Sequence, residues 1–230
     1  MTPLSRLLAP LSLLVLVLGM MPGPVRADSV QAMRTALDLA AGKDWDGALA
    51  VAPEGVGRDV IEWQRLRAGE GRLGEYEDFL ARRADWPGLP LLREKGEEAV
   101  ARSDDPARVI AWFASGPPQT GKGAVAYVRA LLAEGRAAEA ETEAMRAWAE
   151  LSFTAEEEDA LIAIKPDSVG FVHELRLENL LWDGRRAEAG RMIPRVGKDL
   201  QALAKARLGL QGEAKGVSAL IDAVPKARAD

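Results

Sequence analysis

A ten-residue phrase occurs twice in this chain. Leu131-Leu132-Ala133-Glu134-Gly135-Arg136-Ala137-Ala138-Glu139-Ala140 returns as Leu180-Leu181-Trp182-Asp183-Gly184-Arg185-Arg186-Ala187-Glu188-Ala189, with seven of ten positions identical and an offset of 49 residues. The physical content of the phrase is simple. An apolar helix ends, glycine supplies the left-handed backbone that other residues avoid, and a second helix starts at once. Recurrence at intervals of tens of residues marks stacked helix pairs. The expectation is an all-α chain, built as a superhelix or solenoid of antiparallel helix hairpins.

Weaker relatives of the phrase lie elsewhere. Gly71-Arg72-Leu73-Gly74-Glu75 keeps the glycine, arginine and acid, Gly42-Lys43-Asp44-Trp45-Asp46 keeps a glycine, a base and an acid, and Gly212-Glu213-Ala214 is a degenerate fifth. The glycines stand 29, 64, 49 and 28 residues apart. A tetratricopeptide array would repeat regularly, so the expected superhelix is looser, TPR-like or HEAT-like with an irregular repeat. Periodicity predicts helices over 28–41, 44–52, 58–69, 73–84, 89–102, 106–115, 122–134, 137–150, 155–164, 168–183, 186–193, 197–211 and 214–224. No alternating β-branched run competes as a strand. Asp105-Pro106 predicts an N-cap with proline at the first helical position. Thr154 with Glu157 fits a capping box. Residues Gly116-Pro117-Pro118-Gln119-Thr120-Gly121 predict a loop.

The first 27 residues read as a secretory signal peptide. Arg6 precedes an apolar run from Leu7 to Leu18, Pro22-Gly23-Pro24 breaks the helix, and Val25-Arg26-Ala27 offers a cut before Asp28. The apolar run is shorter than the roughly 20 residues of a spanning helix. Residues 28–230 are then a single α-helical domain, with no membrane association after cleavage. Removal of Arg6 and Arg26 leaves 28 basic residues against 35 acids, a charge of −7. Bases and acids are interleaved, which gives no electrostatic footprint for nucleic acid or for anionic lipid. An exported chain with no cysteine takes its stability from core size, not disulfides. Arg- and Ala-rich usage suggests a bacterial source and hence a periplasmic location.

Little in the sequence carries chemistry. His173 is the one histidine, and no Gly-x-Ser-x-Gly elbow accompanies it. Glu156-Glu157-Glu158-Asp159 is the densest acidic run, but adjacent helical side chains diverge and acids suit a helix N-terminus. Gly121-Lys122-Gly123 lacks the phosphate-loop spacing. No catalytic, cofactor-binding or metal-binding residue is assigned, and no cofactor is implied. Six tryptophans, Trp45, Trp63, Trp86, Trp112, Trp148 and Trp182, are spread along the chain. Trp112 and Trp182 follow apolar helical stripes and are expected in the core. Trp86, beside Pro87 and Gly88, is the one best placed for exposure, though a hydrophobic staple accounts for it as well.

Several blocks together resemble one family. They are Trp86-Pro87-Gly88-Leu89-Pro90-Leu91-Leu92-Arg93 with Glu97 and Ala99; Val109-Ile110-Ala111-Trp112-Phe113 with Pro117, Pro118, Thr120 and Gly121; and Ala130 to Arg136 with Arg146-Ala147-Trp148. The last comprises His173-Glu174-Leu175-Arg176, Asn179 to Arg185, Ala189, Arg191-Met192 and Ala204 to Leu208. This order over residues 86–210 resembles the N-terminal α-superhelical region of soluble lytic murein transglycosylases of proteobacteria. The resemblance implies a helical scaffold beside a lysozyme-like domain that cleaves peptidoglycan to 1,6-anhydro products. That domain carries a Glu-Ser motif and a Gly-Leu-Met-Gln motif, and the 230 residues contain neither. The family's superhelix would go on past Asp230, so the domain is expected to be incomplete at its C-terminal end. Leu203, Leu208, Leu210, Val217, Leu220 and Ile221 would then be partly exposed. Implied partners are peptidoglycan glycan strands or muropeptides. The alternative is a stand-alone periplasmic TPR-like adaptor that binds another protein.

Overall fold

The computed structural model describes residues 25–213 and 215–228. These residues form helices and turns with no strand among them, so the chain is all-α. The apolar run of the expected signal peptide lies outside the described residues. Helix α1 (Val25–Ala41) continues across the Ala27–Asp28 bond. No described helix is long and apolar enough to cross a membrane.

The chain divides into two compact units after Ile61. In the first, α1 pairs with α2 (Trp45–Val51). Asp44 caps α2, its carboxylate accepting from the Gly47 N–H at 3.0 Å. The core is made largely of alanine: Ala36, Ala40, Ala48 and Ala52 close on Ile61, with Trp45 at the margin. The division falls within α3 (Val56–Arg67).

The second unit holds α4 (Leu73–Arg82), α5 (Leu89–Val100), α6 (Pro106–Trp112), α7 (Gly121–Ala133), α8 (Ala137–Glu150) and α9 (Ala155–Ile164). It continues through α10 (Pro166–Gly170), α11 (His173–Trp182), α12 (Arg186–Met192), α13 (Lys198–Gln211) and α14 (Val217–Asp222). Packing is local in sequence. Helix α5 lies on α4 and α7, α7 on α6, α8 and α9, and α11 on α8, α12 and α13. One core gathers Leu66, Tyr76, Phe79, Leu92, Trp112 and Phe113. The other gathers Leu131, Trp148, Leu161, Leu177, Leu181 and Met192. Burial of each such side chain is worth about 1.5–3 kcal/mol.

The predicted caps form. Asp105 accepts from the Arg108 N–H at 3.1 Å, and Pro106 opens α6. Thr154 and Glu157 complete the capping box of α9. Both copies of the phrase turn as expected, with Gly135 at φ 71° and Gly184 at φ 69°. In each, the N–H three positions after the helix reaches back to a leucine carbonyl, Arg136 to Leu131 at 2.8 Å and Arg185 to Leu180 at 2.9 Å. In two of the weaker relatives the same bond forms, from Glu70 to Arg65 at 3.1 Å and from Asp44 to Leu39 at 3.0 Å, and all three move the left-handed residue. It is Gly69 rather than Gly71, Lys43 rather than Gly42, and Glu213 rather than Gly212. The glycine of the short phrase is thus not the cap in those three copies. The cap position is set by where the preceding apolar helix runs out.

Two other expectations change. Residues 168–183 are not one helix: α10 ends at Gly170 and α11 begins at His173. Glycine inside a helix is about 1 kcal/mol less favourable than alanine, and the break falls directly after it. The end of the 106–115 segment tightens into a 3₁₀ turn over Phe113–Ser115. Leu203, Leu208, Val217 and Leu220 are half-buried, and Leu210 and Ile221 are exposed.

Candidate functional site

A cleft of about 620 Å³ opens in the second unit, lined by Leu89, Pro90, Arg93 and Glu97 from α5, Trp112 and Phe113 from α6 and its 3₁₀ end, the Ser115–Gln119 loop, and Arg146 and Leu151. The loop cannot be helical, and the fold fastens it at three points. Glu97 accepts from the Gln119 N–H at 2.8 Å, the Thr120 N–H at 2.8 Å and the Thr120 Oγ1 hydroxyl at 2.6 Å. Gln119 Nε2 donates to the Pro90 carbonyl at 3.2 Å. Arg146 Nη2 donates to the Pro118 carbonyl at 3.0 Å, while its guanidinium also pairs with Glu143 and Glu150. Thr120 in turn caps α7 by accepting from the Gly123 N–H. Burial pushes the Glu97 carboxyl up, against the downward pull of its three donors.

The floor depends on close approach. Trp112 lies against Gly96 so tightly that a Cβ there would meet its ring at 2.5 Å. Tyr76 stands edge-on to the same ring, 6.2 Å between centroids. A second cavity of about 450 Å³ adjoins, lined by Glu77, Leu80, Ala111 and Ala114, and it shares Arg93, Trp112 and Ser115 with the first. Glu77 is occupied by Arg108. Arg93 is half-buried.

The second cluster is buried. Arg176 is fully enclosed, with Nη1 donating to the carbonyls of Trp148 at 2.7 Å and Leu151 at 2.9 Å. Its Nη2 meets Glu158 at 2.9 Å and Glu188 at 3.0 Å. Arg191 adds a second cation to Glu158 at 2.7 Å. The Trp148 and Phe153 rings cover the guanidinium, 4.5 and 5.0 Å from its carbon. Desolvation lowers the Arg176 pKa. A charge sealed this way has no access to a substrate, and its work is to tie α8, α9, α11 and α12 together.

His173 belongs to this junction. Its Nδ1 accepts from Trp148 Nε1–H at 3.0 Å, and burial, with Arg195 and Arg176 nearby, lowers its pKa. The acidic run separates by role. Glu157 serves the capping box, Glu158 enters the buried network, and Asp159 stays exposed beside Arg195 at 3.9 Å. Sequence reasoning placed all four at a helix N-terminus and missed Glu158. Its place one position past Glu157 gave no local sign of burial, because its partners Arg176 and Arg191 come from later helices. Among the described residues, no group of three or more His, Asp or Glu is arranged to hold a metal ion.

The tryptophan assignment needs one correction. Trp112 is in the core as expected, but Trp182 is 76% exposed. Apolar residues at 177, 180 and 181 define the buried stripe of α11, and position 182 turns off it toward solvent. Leu175 and Trp182, seven positions apart, lie exposed on one face of α11, beside Glu178 and its Arg207 partner at 2.8 Å, and Phe171 is exposed just before the helix. Trp86 is half-buried against Phe79 and Arg83.

No family model, no curated protein and no solved structure matches this chain.

Proposed function

We propose that this chain is the helical scaffold region of a periplasmic lytic murein transglycosylase, holding glycan strands or muropeptides for a catalytic domain that the 230 residues do not include. In this reading the hairpins stack as an irregular TPR-like superhelix, and the protein is exported and cut before Asp28. The observation that carries it is convergence. Three of the family-like blocks follow one another over residues 86–148, and their residues line one cleft: Leu89, Pro90, Arg93 and Glu97 from the first, Trp112, Phe113, Pro117 and Pro118 from the second, Arg146 from the third. Blocks three and four meet again at Trp148, His173, Arg176 and Asn179, the last donating to the Ala149 carbonyl at 3.0 Å.

The test is sedimentation with insoluble murein sacculi. Retention above a control protein of similar charge is expected, and equal retention sinks the reading. Release of anhydromuropeptides by this chain alone would overturn the assignment of the chemistry to another domain. A stand-alone adaptor is the second reading, favoured by the exposed apolar side chains Phe171, Leu175 and Trp182. It gains if a periplasmic partner is lost on Trp182→Asp while sacculus binding is unchanged.

A further inference from the structure

We infer that the cleft beside Arg93 is a binding site for a small organic carboxylate with an apolar body. Arg93 lines both cavities. Among the described residues it has no acidic partner, although carboxylates surround it. Each of those is committed elsewhere: Glu94 to Lys95, Glu77 to Arg108, and Glu97 to the Gln119 and Thr120 donors. Arg146, the other cation of the cleft, is neutralised by Glu143 and Glu150. The site therefore keeps one guanidinium without an ion-pair partner at a residue shared by two apolar-walled spaces, and Ser115 lines both as well.

A planar five-donor cation in a partly desolvated cleft selects a planar anion that it can meet through two parallel hydrogen bonds. The walls define the rest of the ligand. Leu89, Trp112, Phe113 and Leu151 offer apolar surface, and a volume of about 620 Å³ suits a molecule of dipeptide or monosaccharide size. A free phosphate or sulfate would satisfy the cation but leave the walls wet. A neutral apolar molecule would leave the guanidinium unpaired. The carboxylate could come from a peptide C-terminus or from the lactyl ether of a muramyl sugar. The requirement for it follows from Arg93, whereas the muramyl source rests on the murein reading.

Two matched pairs of probes separate these cases by NMR titration of the full chain. One is acetyl-alanyl-leucine as the free acid and as its C-terminal amide. The other is N-acetylmuramic acid and N-acetylglucosamine, which differ by the lactyl carboxylate. At least one acid is expected to bind with a Kd on the order of 1 mM or tighter, shifting the Trp112 indole signal, while its neutral counterpart does not. Arg93→Gln is expected to weaken that binding by about tenfold or more, with Arg93→Lys intermediate because a point cation loses the bidentate fit. Since Arg93 holds no ion pair, Arg93→Gln should melt with the parent protein, and Arg93→Lys serves if it does not. The inference is overturned if neither acid binds, if the neutral probes bind equally, or if Arg93→Gln keeps full affinity. Acid binding without sacculus retention upholds the cleft and sinks the murein reading. Sacculus retention without acid binding does the reverse.

Discussion

The two copies of the doubled phrase share a backbone and differ in what their glutamates do. At the first, Glu139 folds back on Arg136 of its own turn, the oxygens 2.6 and 2.7 Å from the guanidinium, and both side chains remain in solvent. At the second, Arg185 turns to Asp183 at 3.0 Å instead. Glu188 is thereby released across the hairpin, where it accepts from the Phe153 N–H at 3.0 Å, the Ser152 hydroxyl, and Arg176 at 3.0 Å. The same letter at the same turn position closes a local pair in one place and completes a buried network in the other. Local geometry follows from the phrase; the role of a side chain follows from what the next helices bring to it.

Removing Arg176 should produce the largest effect, because the network at the second copy has no equivalent at the first. Arg176→Ala would leave Glu158 and Glu188 without their shared cation. A cost of about 3–5 kcal/mol in urea denaturation is expected for an uncompensated buried charge. A loss near zero would mean the network is wetter than the geometry shows.

Glu188→Ala and Glu139→Ala set the copies directly against each other. Glu188→Ala should cost about 1–3 kcal/mol by stranding the Phe153 N–H and one Arg176 donor. Glu139→Ala should leave the denaturation midpoint unchanged, since exposed pairs contribute little. Equal effects would erase the distinction.

Gly135→Ala and Gly184→Ala test the half of the comparison in which the copies agree. Each forces a Cβ into the left-handed region and should cost roughly 1 kcal/mol. Markedly unequal costs would show that the turns are not equivalent.

His173 should give the smallest effect, through pH. Its folded pKa is lowered from the ordinary 6.5, so the unfolded chain binds the proton more readily than the folded one. Its stabilisation is then full above pH 6.5 and is lost as pH falls through the lower folded value. The melting temperature should decline on that acid limb, and His173→Gln, which can still accept from Trp148, should flatten the decline.

The two copies agree at one position where the hydrophobic stripe misled. Trp182 occupies the place of Ala133 in the first copy, and both are exposed. That agreement shows only in the folded protein, because alanine suits either face. The cleft also had no local signal. Arg93, Trp112 and Pro118 belong to three separate segments, and nothing local says that the acids around Arg93 will be engaged by other partners. Glu158 was hidden for the same reason, since an acid one residue past a capping box reads as solvent-facing until Arg176 and Arg191 arrive from helices further along.

By itself the sequence determined most of the helices, the Asp105 and Thr154 caps and the two left-handed glycine turns. These depend on side-chain spacing and backbone sterics within a few residues. The tertiary structure decided which charges are buried, which tryptophan faces water and where a cleft opens. Those outcomes depend on how helices distant in sequence pair their polar groups once water is excluded. The irregular spacing of the phrase left that pairing open, and packing of the second copy against α8 and the Ser152–Phe153 turn after it resolved it.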